Sequence, residues 1–153
     1  MPRNAAPRKA YRPRAINAPI TPGLMGEFTD CFNTVETGLH LRAQTTEHFD
    51  ALAMLFNTIG PVALTRFGAD SPTGEAIGLA AEAMNTAAER ARDAGGTAPM
   101  TDDELAVISH GIDAAKEAIP FLDVRSLAAQ HRIVRRRIAL ERVINQSTKG
   151  ATQ

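Results

Sequence analysis

The sequence predicts an all-α protein, a compact bundle of four or five helices preceded by an extended basic N-terminal arm. Apolar residues recur at intervals of three and four along most of the chain, the period of a helix with one buried face. Val, Thr, Phe and Tyr never gather in alternating runs, so strands have little to be built from. Ser, Thr and Pro stand where helices would begin, and Gly stands where they would end. At 153 residues the chain has the length of one domain able to bury a core without disulfides or a metal. With no Trp and a single Tyr, that core must be mostly aliphatic.

Five prolines fall between Met1 and Pro22 with no apolar period among them, so residues 1–21 are expected to be an extended or disordered arm. The first helix is expected from about Pro22 to Leu41. There Leu24, Phe28, Cys31, Phe32, Val35 and Leu39 make one stripe, and Pro22 suits the first turn. Thr45 or Thr46 is placed to cap a second helix, with Glu47 near the positive end of its dipole. Its stripe is Phe49, Leu52, Ala53, Phe56, Ile59, Ala63 and Phe67. Gly60-Pro61 within it predicts a kink or a brief break, because proline removes a hydrogen bond and crowds the preceding turn. Gly68 is suited to stop this helix in a left-handed conformation.

Ser71-Pro72 reads as an N-cap followed by proline at the first helical position, opening a third helix that runs to about Ala94. Its inner face, from Ala76 through Ala80 and Ala87 to Ala91, is nearly all small, which lets neighbours approach closely, and Gly95-Gly96 ends it. Thr101 and Glu104 have the spacing of a capping box, and Met100 and Leu105 that of a hydrophobic staple. A fourth helix is therefore expected to start there, with Leu105, Ile108, Ile112, Ala115 and Ile119 turned inward. Pro120 kinks or breaks it, and a long last helix follows from about Phe121 to Asn145. The bundle is thus expected over 22–146, with 147–153 a frayed polar tail.

No apolar run approaches the roughly 20 residues that span a bilayer, so no membrane association is expected. The basic start lacks the apolar segment of a secretory signal, and its prolines oppose the amphipathic helix of a transit peptide. Cys31, the single cysteine, has no partner for an internal disulfide, which fits a cytoplasmic location. On an apolar helix face it is expected to be a buried small hydrophobe.

His40, His48, His110 and His131 form no pair at the spacing that puts two metal ligands on one helix face, so no metal or other cofactor is expected. His131 shares a stripe with Val124, Leu127, Val134 and Ile138, where a hydrogen-bonded core or interface histidine is expected. The first turn of a capped helix accounts for Asp102, Asp103 and Glu104 through the dipole. Glu36 with His40, and Asp113 with Lys116 and Glu117, read as helical-spacing pairs of a solvated face. The sequence contains neither a nucleophile elbow nor a phosphate-cradling glycine loop, and no catalytic residues are expected.

The net charge of zero conceals a segregation. Residues 1–14 carry Arg3, Arg8, Lys9, Arg12 and Arg14 against no acid, residues 15–124 hold sixteen acids against five bases, and residues 125–153 hold seven bases against Glu141 alone. In the arm, Arg8, Lys9, Tyr11, Arg12 and Arg14 place an aromatic among cations, a pattern that can follow a phosphate backbone and stack a ring on a base. The same residues could pair with a protein partner or with the acidic middle of their own chain, or serve only solubility. On the last helix Arg125, Arg132 and Arg136 share one face with Arg135 and Arg142 beside it, while Ile133, Leu140 and Ile144 form a second apolar line. That line is available for a homodimer, unless the arm and the earlier helices cover it. Arg132, Arg135 and Arg136 complete the set of candidate binding residues.

The Lys9-Ala10-Tyr11-Arg12-Pro13-Arg14 arm with a proline soon after it, Leu39-x-Leu41-Arg42, the stretch from Asp50 to Asn57, and the Ala-rich third helix before the capped Thr101-to-Leu105 start together carry a resemblance. The chain resembles small uncharacterised helical proteins encoded by prophages and integrative elements of proteobacteria. The resemblance implies a mobile-element origin and a non-catalytic accessory role. Two functions follow as expectations. One is binding of nucleic acid or a nucleoprotein complex through the arm and the last helix. The other is a protein interaction module, an inhibitor of a host system or a structural subunit, whose arm orders on an acidic partner surface.

Overall fold

The structure, a computed structural model, describes residues 21–41, 44–95 and 99–150, and the side chains of all of these except 41 and 141–150. The expected arm, apart from Thr21, lies outside them. Five α-helices and one short 3-10 turn follow in order: α1 Pro22–Leu41, α2 Thr46–Phe67, α3 Pro72–Asp93, α4 Asp102–Ala118, the turn Ile119–Phe121, and α5 Val124–Gly150. Among the described residues there is no strand, and the chain is an all-α bundle.

The helix starts are fixed by side chains where the sequence placed them. Thr45 accepts from the backbone of His48 at 3.5 Å, and Nδ1 of His48 accepts from the Thr45 N–H at 3.1 Å, closing a capping box on α2. Ser71 accepts from the Gly74 N–H at 3.0 Å, with Pro72 in the first turn of α3. Thr101 and Glu104 form the expected box on α4, at 3.2 and 2.8 Å. Gly68 ends α2 at φ +91°, a backbone that favours glycine, but its ψ of 153° is extended rather than left-handed helical as expected.

Three features differ from expectation. No break occurs at Gly60-Pro61, and α2 runs unbroken from Thr46 to Phe67. The carbonyl of Asn57, which Pro61 leaves without its helical donor, accepts instead from the Gln130 side chain of α5 at 3.0 Å. The last helix begins at Val124 rather than Phe121, because Ile119 to Phe121 turn in 3-10 fashion and Asp123 then caps the new helix. Its Oδ2 accepts from the Ser126 N–H at 2.8 Å and from the Ser126 hydroxyl at 2.6 Å. The backbone of α5 stays helical to Gly150, through Ser147 to Gly150 where a frayed tail was expected, with no proline on the way to stop it.

The core gathers around α2, which touches each of the other four helices. Leu52, Leu55 and Ile59 of α2 are wholly buried, and Phe28 and Val35 of α1, Ile77 of α3, Ile108 of α4 and Leu127 of α5 close around them. Burying each of these side chains contributes about 1.5–3 kcal/mol. The small faces of α3 and α4 let the two backbones meet. A Cβ added to Gly111 would stand 2.1 Å from the Cβ of Ala80 and 3.0 Å from the carbonyl oxygen of Ala76. Arg90 of α3 then clamps α4 with two bonds to the Glu104 carboxylate, at 2.7 and 2.6 Å. Glu36 pairs across helices with Lys116 of α4 instead of within its own helix with His40, and the Lys116 ammonium lies 5.3 Å from the centre of the Phe32 ring. Among the described residues no helix is long and apolar enough to cross a membrane.

Candidate interaction face on the last helix

α5 lies against α2 and presents two different faces. The inner face buries Leu127, His131 and Val134, with Val124 and Ile138 half-buried at its edges. His131 is the hydrogen-bonded core histidine that its position on the stripe predicts. Its Nε2 lies 2.9 Å from Oε2 of Glu27 on α1, and its ring meets Phe28 edge-on with centroids 6.0 Å apart. The other Glu27 oxygen accepts from Arg135 at 3.5 Å, so one carboxylate of α1 holds two turns of α5. Buried polar groups need such partners, and this one also fixes the rotation of α5 about its axis.

That rotation sends the second apolar line to solvent. Ile133 is 59% exposed and Leu140 61% exposed, seven residues apart on the same side. Arg125, Arg132 and Arg136 are exposed beside them, and Arg137, which sequence reading left out of the ridge, is exposed as well. Between Val124 and Leu140 the helix carries five arginines and no acid. The earlier helices do not cover this face. Ile144 and Arg142 lie where side chains are outside the described residues, as do Arg8, Lys9, Tyr11, Arg12 and Arg14 entirely.

Beside the inner face, α1, α2 and α5 enclose a groove of about 570 Å³. Asp30, Glu47 and Asp50 stand on its rim with Arg135, while Met54, Ala51 and Ile138 line it. Cys31 also opens on it and is half-buried rather than fully buried as expected. Burial, reinforced by the charges of Glu27 and Asp30, raises its thiol above the ordinary value. Sequence reading did not find this groove, because its carboxylates come from two helices and look like a solvated face on each. Glu27 was missed for the same reason, since its two partners lie more than a hundred residues further along the chain.

Among the described residues no group of three or more His, Cys, Asp or Glu side chains is placed to hold a metal ion. Comparison with family models, with curated proteins and with solved structures found no match.

Proposed function

We propose that this chain is a non-catalytic accessory protein that docks a protein partner of acidic surface through the outer face of α5, with the basic arm as a second contact. The observation that carries this reading is the exposure of Ile133 and Leu140 within a row of arginines. Aliphatic side chains flanked by guanidinium groups have the composition of an interface centre, where arginine is enriched and lysine depleted. A second copy of the chain is a poorer occupant, since it brings arginine against arginine. The resemblance of the arm suggests the setting, a mobile element whose product acts in the cytoplasm as an inhibitor of a host system or as a structural subunit.

A second reading is favoured by the five arginines between Val124 and Leu140 that no acid interrupts. Such a helix, with the arm, would follow the phosphates of nucleic acid or of a nucleoprotein complex. One experiment separates the two. The full-length protein and its Ile133→Ser/Leu140→Ser variant are used to capture partners with and without nuclease, and are titrated with duplex DNA and RNA at about 50 and 200 mM salt. A nuclease-resistant partner lost in the apolar variant supports protein docking. Tight binding to nucleic acid that collapses with salt and ignores the apolar variant overturns it in favour of the second reading.

A further inference from the structure

A second groove, of about 440 Å³, runs between α2 and the first half of α5. Pro61, Val62 and Thr65 form one wall, and Ser126, Ala129 and Gln130 form the other. At about 100° per residue, Ser126 and Ala129 fall on the same side of α5 as Ile133 and Leu140, and all four are exposed. The groove and the exposed apolar line of α5 are therefore one continuous surface. Arg125, Arg132 and Arg136 run along the edge of that line opposite Gln130, and Arg66 stands on the rim that α2 provides.

The polar side chains of the groove are already engaged within the bundle. The Thr65 hydroxyl donates to the Pro61 carbonyl at 2.8 Å, the Gln130 amide to the Asn57 carbonyl at 3.0 Å, and the Ser126 hydroxyl to the Asp123 carboxylate at 2.6 Å. An extended segment laid here would bury backbone N–H and C=O groups with few partners to receive them, whereas a helix satisfies its own. Ser126 and Ala129 are small, which leaves room for the large apolar side chains such a helix would bring. Asp123, the one acid of the lining, serves as the cap of α5, so the charge that borders the surface is that of arginine.

We infer that the partner's contacting element is an amphipathic helix with carboxylates along its flank, its apolar stripe seated between α2 and α5 and continuing over Ile133 and Leu140. The inference rests on the proposed docking of an acidic protein partner and adds α2 as the second wall of that site. From Asp123 to Leu140 the surface is about 25 Å long at ~1.5 Å per residue, which sets the contacting helix at about five turns. Apolar side chains at helical spacings of three, four and seven fill the groove, and carboxylates beside them meet Arg132 and Arg136.

The test titrates the isotope-labelled full chain with a synthetic helical peptide of about 18 residues, with leucines at those spacings, glutamates on the flank and alanines elsewhere. Two control peptides carry lysine in place of glutamate, or proline at two central positions. The glutamate peptide is expected to shift the amide signals of Val62, Thr65, Ser126 and Ala129 together with those of Ile133 and Leu140. Thr65→Gln and Ala129→Gln, both at exposed positions, should each weaken its binding about tenfold. The map of shifts stands without these variants, so a failure of either to fold leaves the test intact. Equal binding of the lysine or the proline peptide overturns the inference, as does unchanged affinity in both variants. Shifts at Ile133 and Leu140 without shifts at Val62 and Thr65 also overturn it, while docking on α5 alone stands. Absence of binding overturns it as well, and leaves the docking reading to be decided by capture with the Ile133→Ser/Leu140→Ser variant.

Discussion

The side-chain amide of Gln130 donates to the backbone carbonyl of Asn57 at 3.0 Å, joining α5 to α2 at the one carbonyl that Pro61 deprives of its helical donor. The bond replaces what proline removed, and it explains why α2 continues through Gly60-Pro61. Replacing Gln130 with Ala should cost about 1 kcal/mol in denaturant unfolding. In a Pro61→Ala background the new N–H satisfies Asn57, so the cost of Gln130→Ala should shrink toward zero. A double-mutant cycle measures that coupling, and additive effects would contradict it.

Gly111 is held by contact, not by backbone conformation. Gly111→Ala drives a methyl against Ala80 and the Ala76 carbonyl. It should destabilise by about 1–3 kcal/mol although alanine is the better helix former. Adding Ala80→Gly opens the space again and should recover part of the loss, as read from the unfolding midpoint.

The Glu104 carboxyl is held down to about 2, chiefly by its bonds to Arg90 and then by the N–H of Thr101. A carboxyl depressed by folding contributes stability that is complete above its ordinary value near 4.3 and is lost as pH falls toward the folded value. The unfolding midpoint of the native protein should therefore drop more steeply between about pH 5 and 2 than that of Glu104→Gln. Parallel pH profiles would show that the clamp contributes nothing.

Cys31, with its thiol raised by burial and by Glu27 and Asp30, holds less thiolate at neutral pH than a free cysteine. Alkylation by iodoacetamide at pH 7 should be slower than for a small-molecule thiol, and should accelerate toward that rate when the protein is unfolded. Equal rates in the folded and unfolded states would contradict this.

The helices were legible wherever a local signal decides the outcome. Thr101 and Glu104 stand three residues apart and close the box their spacing predicts, and Ser71, just ahead of Pro72, accepts from the Gly74 N–H as an N-cap. The break expected at Pro61 does not occur because the group that rescues Asn57 comes from Gln130, 73 residues away, and no local pattern announces it. The start of α5 shifted for a local reason that competes with periodicity, since Asp123 caps more strongly than Phe121 continues the apolar stripe. On the candidate face, the ridge of Arg132, Arg135 and Arg136 followed from helical geometry, and all three are exposed, but the contact of Arg135 with Glu27 needed the packing of α5 on α1. The groove needed α1 and α2 to be brought together before its carboxylates formed one rim, and α5 to close its other side.

The Ala80–Gly111 seam bears on the order in which the molecule assembles. Alanine and glycine have no rotamers to freeze on burial, so α3 and α4 close on each other at little cost in side-chain entropy. They are neighbours in sequence, which keeps the loop to be closed short. That hairpin should be the earliest part to fold, and its facing amides the slowest to exchange with deuterium. α5 is tied to α1 through Glu27, more than a hundred residues before Arg135, so it should dock onto a body already formed. The helix that carries the proposed binding face should thus be the last to be fastened, and the one the bundle can loosen without losing its foundation.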